Sequence, residues 1–171
     1  NTQLFTSLIN DMLEVSQLDN TSAEMPRKLL DISKIIRAEM EHLPVKEGVE
    51  YRLELAAPEI VFPLHRSYVS LLVRELLKNA VKFTEQGSVT VECGLTEPGT
   101  LTLSVTDTGC GVEPGLAERV FDRFYKVDPF AQGLGLGLSL CRLIVEKLGG
   151  TIGLDTTYTG GARFVVTLRD T

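Results

Sequence analysis

Leu4, Phe5, Leu8, Ile9, Met12, Leu13 and Val15 recur at three- and four-residue spacing, so residues 2–19 predict an amphipathic helix that Asp19-Asn20-Thr21-Ser22 ends. Its apolar stripe is broad for a helix with no domain yet to cover. It packs on a partner helix or on the domain that follows. Beyond Pro26, residues 28–32 predict a short strand and residues 33–42 a helix whose apolar side is Ile35, Ile36 and Met40. Pro44 and Gly48 mark a turn. Tyr51, Leu53 and Leu55 then alternate with Arg52 and Glu54 as a second strand, and residues 58–63 read as a connection.

Residues 65–83 carry a strong helical pattern through Tyr68, Leu71, Leu72, Leu76 and Leu77. Glu75, Asn79 and Lys82 follow one another at spacings of four and three, which places them along one side of that helix. Each alone fits surface solvation. Arg74 and Lys78 already supply that on another side, so the trio reads as the lining of a cleft. An Asn amide oxygen and a carboxylate are suitable hard ligands for Mg²⁺, which keeps several waters and takes few protein ligands. A lysine one turn on suits phosphate oxygens.

Glu85-Gln86-Gly87 turns into a strand with Val89, Val91 and Cys93, and Glu97-Pro98-Gly99 turns back into Leu101-Thr102-Leu103-Ser104-Val105-Thr106. The two predict an antiparallel hairpin. Residues two apart share a face of a strand, so Asp107 falls next on the buried side of Leu101, Leu103 and Val105. A buried carboxylate needs a donor. A bound heterocycle with an exocyclic amine supplies one; a plain Asx turn at Asp107-Thr108-Gly109 is the alternative. Gly109 and Gly111 let the backbone turn sharply and approach a ligand.

Residues 114–121 predict a short helix with Pro at its start, followed by Phe121-Asp122-Arg123-Phe124-Tyr125. Three aromatics in five residues make either a packed cluster under a loop or a hinge. Gly133-Leu134-Gly135-Leu136-Gly137-Leu138 then opens a helical run (Leu138, Cys141, Ile144, Val145, Leu148) that stops at Gly149-Gly150. Glycines at a helix start expose backbone N–H groups at its positive end, which suits an anion. The spacing is neither a Walker A loop nor a dinucleotide fingerprint. Residues 152–155 and the alternating Ala162, Phe164, Val166 and Leu168 predict two last strands. Hairpins without strict strand–helix alternation predict an α+β fold, a mixed sheet with helices on one face.

At 171 residues the chain is one domain with a short appendage. Its net charge of −6 argues against a nucleic-acid surface. No apolar run reaches the roughly 18 to 20 residues of a membrane span. Cys93, Cys110 and Cys141 make no metal-ligand spacing, and an odd number fits a reducing, cytoplasmic setting, with Cys93 and Cys141 as core residues. The start at Asn1 suggests a fragment of something longer.

Four stretches occur in order: Glu75-Leu-Leu-Lys-Asn79-Ala-Val-Lys-Phe-Thr84, Asp107-Thr-Gly-Cys-Gly111, Phe121-Asp-Arg-Phe124 and Gly133-Leu-Gly-Leu-Gly137-Leu. Over residues 26–168 the chain closely resembles the ATP-binding catalytic domain of sensor histidine kinases, within the wider group of DNA gyrase and the MutL-type ATPases. The aromatic stretch favours the kinases within that group. The resemblance implies a two-layer α/β sandwich of Bergerat type, mostly antiparallel, preceded by one helix. It implies that Asp107 accepts from the adenine amino group, that Gly109 and Gly111 shape the pocket, and that Asn79 holds Mg²⁺ on the triphosphate. Lys82 contacts phosphate, and Gly133, Gly135 and Gly137 do so through backbone N–H groups. Residues 125–132 form a lid, anchored by Phe121 and Phe124. Val112, Tyr125, Lys126 and Leu136 count among the nucleotide-contacting positions. Glu75, where the family often has Asn, takes a metal-orienting or base-like role, so Glu75 and Asn79 are the expected catalytic and metal positions.

The γ-phosphoryl then passes to a histidine on a dimerisation domain, of which residues 1–25 look like the end of the second helix. That implies a homodimeric, membrane-anchored sensor with a cytoplasmic catalytic part and a response regulator as partner. The phosphoacceptor motif itself is not here. His42 reads as a helix-end histidine, and His65 stands where the family often has Asp. No Lys or Arg lies between Val127 and Gly133, and Leu134 stands where Thr is common. Two rivals share the pattern. One is a gyrase-type ATP hydrolase in which Glu75 activates water; the other is a non-enzymatic nucleotide-sensing scaffold.

Overall fold

The computed structural model describes residues 27–122, 125 and 137–170, and the helix expected over residues 2–19 lies outside them. Strand β1 (Lys28–Asp31) runs straight into helix α1 (Ile32–Glu41). Asp31 caps that helix, its carboxylate accepting from Ser33 N at 3.1 Å and Ile60 N at 3.3 Å. Ile35 and Ile36 face the core, as the periodicity predicts, with Met40 half-buried; Ile32, expected at the end of the strand, instead opens the helix and is buried with them. His42 is the C-cap, its backbone N–H donating to Glu39 O at 3.3 Å.

Strand β2 (Val49–Leu55) stands where the alternation puts it. The connection expected over 58–63 is instead largely a strand, β3 (Val61–Leu64), paired antiparallel with β1 in a two-stranded sheet of its own. Pro63 hides it from a sequence reading, because proline is rare in strand interiors; in a two-stranded ribbon every strand is an edge, where proline is tolerated. Phe62 and Leu64 point inward and are fully buried.

Helix α2 (Arg66–Phe83) is the longest described element and lies under the sheet. Strands β4 (Gly87–Glu97) and β5 (Thr100–Asp107) form the expected antiparallel hairpin, with Val91 opposite Val105. Helix α3 (Gly137–Lys147) and strands β6 (Thr151–Leu154) and β7 (Arg163–Arg169) complete the described chain. The main sheet has the order β2-β4-β5-β7-β6; only β2 and β4 are parallel. This is the mixed sheet that the pattern predicts and the mostly antiparallel α/β sandwich that the resemblance implies.

Alternation decides which face the helices cover. Leu101, Leu103, Val105, Phe164, Val166 and Leu168 point to one side and are buried against Leu72, Val73, Leu76 and Leu77 of α2 and Leu140, Ile144 and Val145 of α3. Thr90, Glu92, Thr102 and Thr106 take the other face and are partly exposed. Helix α3 stops at Gly149, whose φ of +74° suits glycine, with Gly150 N bonded back to Val145 O at 2.9 Å.

The single helix expected over 114–121 is two separate 3₁₀ turns, Pro114–Leu116 and Arg119–Phe121. Proline and Gly115 in its first turn, and burial of only Val120 and Phe121 at its end, leave too little apolar face for a continuous α-helix. Ahead of β1, the Arg27 guanidinium donates to Leu148 O at 2.7 Å and Arg169 O at 2.6 Å, tying the residue before β1 to the ends of α3 and β7.

Candidate nucleotide-binding site

Strand β5 delivers Asp107 to the buried side of its own end, where it is 2% exposed. Two backbone donors hold it: Gly109 N at 2.9 Å and Ala162 N at 3.2 Å, both on Oδ1. The second carboxylate oxygen receives no hydrogen bond from the described residues. Burial pushes the carboxyl above its usual range, opposed by those two backbone bonds. The expected Asx turn is present, and it uses only one oxygen of the carboxylate.

The turn is fastened on three sides. Thr108 N donates to Ser88 O at 3.1 Å, and its hydroxyl accepts from Ser88 N at 2.9 Å. Cys110 N donates to Phe83 O at 3.4 Å, joining the turn to the end of α2. Asp107 N donates to Ala162 O at 2.8 Å, and Tyr158 Oη donates to Asp107 O at 3.1 Å. Glycine is required by this crowding. A Cβ on Gly109 would lie 2.1 Å from Phe83 O, and one on Gly161 would lie 2.0 Å from Asp107 O. Gly111 has φ of +75°, and Val112 beside it packs on the core edge. Of Tyr158, Gly161 and Ala162, only Ala162 figures in the sequence pattern, as the start of the last strand; Tyr158 and Gly161 lie in the link before it. The visible signal was the Gly160-Gly161 pair just before β7.

Exposure of the polar trio rises along α2: Glu75 is 4% exposed, Asn79 is half-buried, and Lys82 is exposed. Arg74 stands on another side, 3.3 Å from Glu39, as expected. Lys78 does not merely solvate that side; its Nζ lies 3.3 Å from Glu75 Oε1. Gly137, the first residue of α3, abuts the same carboxylate, since a Cβ there would lie 3.2 Å from Glu75 Oε2. The fold thus gathers Glu75, Asn79 and Lys82 on one helix, the Asp107–Gly111 turn at its end, and the start of α3 at its side.

Phe121 is buried with its ring edge-on to Phe164 of β7 at 5.9 Å, and the Arg142 guanidinium stands 5.3 Å from its centroid. Of the two readings of the aromatic stretch, packed cluster describes Phe121. Tyr125 N donates to Asp122 O at 3.2 Å, and Arg119 sits 4.9 Å over its ring. Phe124, Lys126, Gly133, Gly135, Leu136 and most of the expected lid lie outside the described residues.

Among the described residues no cluster of three or more His, Cys, Asp or Glu could hold a metal. Asn79 offers an amide oxygen of the kind that suits a hard cation, whereas the Glu75 carboxylate beside it is buried. His65 packs edge-on to Tyr68 at 5.5 Å and makes no capping bond. Cys93 and Cys141 are buried, as expected, and Cys110 is exposed.

A model for histidine kinase-, DNA gyrase B- and HSP90-like ATPases matches residues 65–171. The chain belongs to that ATPase family. It is 34% identical over 166 residues to the sensor protein IrlS of Burkholderia pseudomallei, a match over 90% of this chain and 34% of that protein. The chain thus spans about a third of that relative's length. The ShkA full-length crystal structure, in complex with AMPPNP, superposes with a TM-score of 0.84 at 28% identity, over 95% of this chain and 35% of that one. The mycobacterial sensor histidine kinase MprB superposes at 0.75 and 26% identity, over 84% of this chain and 97% of that one. Within the family, this is a histidine kinase catalytic domain.

Proposed function

We propose that the chain binds ATP with Mg²⁺ and passes the γ-phosphoryl group to a histidine on a dimerisation domain of the same protein. The observation that carries this reading is the Asp107 carboxylate: it is buried, and among the described residues both of its donors fall on Oδ1, leaving Oδ2 to accept. An adenine amino group is a donor of the right kind for that oxygen. Gly109 and Gly111 keep the pocket wall free of side chains, and Val112 lines its edge. Asn79 is the residue that would hold Mg²⁺, with Glu75 the neighbouring carboxylate; the ion would neutralise charge on the triphosphate. Lys82, exposed one turn on, would meet a phosphate oxygen. The first N–H groups of α3 at Gly137 face the phosphates, joined by Gly133, Gly135, Leu136, Tyr125 and Lys126. These groups bind, orient and neutralise, which is most of what a protein contributes to phosphoryl transfer.

Residues 1–25 belong in this reading to the second helix of the phosphotransfer domain, and the whole protein is a dimeric, membrane-anchored sensor acting from the cytoplasm on a response regulator. ATP and ADP titration by calorimetry, with and without Mg²⁺, tests the site. Asn79→Asp should leave Mg²⁺-free binding nearly unchanged while altering the gain that Mg²⁺ confers. If the chain binds no nucleotide under any of these conditions, the kinase reading fails.

A further inference from the structure

Helices α2 and α3 lie side by side, and a buried carboxylate stands between them. Glu75 is 4% exposed. Its Oε1 is 3.3 Å from Lys78 Nζ, one turn on along the same helix. Its Oε2 is turned to the other helix, within 3.2 Å of where a Cβ on Gly137 would sit. Further into that interface Cys141 is fully buried, with Sγ 3.9 Å from Leu72 O. Helix α3 has no acidic residue in its own first turn. The negative charge that its positive end favours comes instead from its neighbour.

A carboxylate buried this deeply is tolerable only when compensated. Lys78 compensates from one side and the helix terminus from the other. A metal ligand, by contrast, needs an oxygen directed at open space. Asn79, four residues on and half-buried, has that access; Glu75 does not. Gly137 completes the argument from the opposite helix, because any side chain there would crowd Oε2 at 3.2 Å.

We propose that Glu75 is a positioning residue: its carboxylate docks the first turn of α3 against α2, holding the backbone that meets the phosphates in register with Asn79. The proposal rests on the ATP reading above for its consequence, but its structural core does not. Two measurements on the full chain test it. Hydrogen–deuterium exchange of the nucleotide-free protein, read by mass spectrometry, should show faster exchange over residues 137–141 in Glu75→Gln. Exchange over the rest of α2 should be unchanged. ATP affinity should fall about threefold to tenfold, the scale of one charge at a helix N-terminus, and by the same factor with and without Mg²⁺. Gly137→Ala leaves the side chains of Glu75 and Asn79 unchanged, crowds Glu75 Oε2 from the other helix, and should reproduce both effects. An affinity loss confined to Mg²⁺-containing solutions, with exchange unaltered, would make Glu75 a metal ligand and overturn the proposal. Unaltered exchange together with unaltered affinity would overturn it too. If the unmodified chain binds no ATP, the kinase reading fails while the exchange result still decides the role of Glu75.

Discussion

Asp107→Asn separates binding from stability at a single position. The replacement is isosteric. Its amide oxygen accepts from Gly109 N and Ala162 N as Oδ1 does now, so the turn keeps both bonds. The other atom becomes an NH₂ group, a donor facing the adenine amino donor where an acceptor stood. One hydrogen bond is lost and two donors oppose each other in a buried site, which costs about 1 to 3 kcal/mol. That is about a 5- to 150-fold loss of ATP affinity. Stability should move the other way. Burial raises the folded-state carboxyl above its unfolded value. Such a group contributes stability below its unfolded pKa and loses it as pH rises through the folded one. The amide carries no such loss, so the variant should melt at or above the unmodified chain at neutral pH. The difference should close as pH falls towards about 4, near the unfolded carboxyl value. Calorimetric ATP titration and thermal melts over this pH range are the assays. Unchanged ATP affinity in a folded variant would refute the adenine assignment, and a variant that melts lower at neutral pH would refute the account of the buried charge.

The other expectations concern the turn and the thiols. In Gly109→Ala the new methyl would sit 2.1 Å from the backbone oxygen of Phe83, which cannot swing aside, so the turn must lift from the end of α2. That should cost about 1 to 3 kcal/mol of stability, with nucleotide affinity falling alongside. Gly115→Ala, which meets nothing within 4 Å, is the control that should change neither. Of the three thiols, only Cys110 is exposed; burial pushes Cys93 up to about 12 and Cys141 well above its ordinary value. A thiol-reactive dye at pH about 8 should therefore modify one cysteine in the native chain and the other two only on denaturation. Two fast-reacting native thiols would contradict that burial.

Asp107 was legible before any coordinates because its evidence is local. Period-two alternation over residues 101–106 assigns the next position to the buried side, whatever the strand pairs with. Glu75, Asn79 and Lys82 were legible for the same reason, since helical geometry alone aligns them. Strand β3 was not: Val61-Phe62-Pro63-Leu64 is too short and too proline-marked to stand out, and only pairing with β1 makes it a strand. The 3₁₀ turns at 114–121 were misread as one helix because propensity cannot count how many of those residues find a core.

By itself, then, the sequence determined the elements with strong periodicity, the mixed sheet with helices on one side, and the order of the nucleotide motifs, because each depends on neighbours within a turn or a strand. Tertiary structure alone decided which oxygen of Asp107 is spent on the turn, since Ala162 lies 55 residues away. It alone brought Tyr158 and Gly161 onto the Asp107 backbone and turned Glu75 from a cleft-lining carboxylate into a buried contact with the start of α3. Those contacts join residues whose separation along the chain carries no periodic signal. They exist only once the sheet and helices have closed on one another.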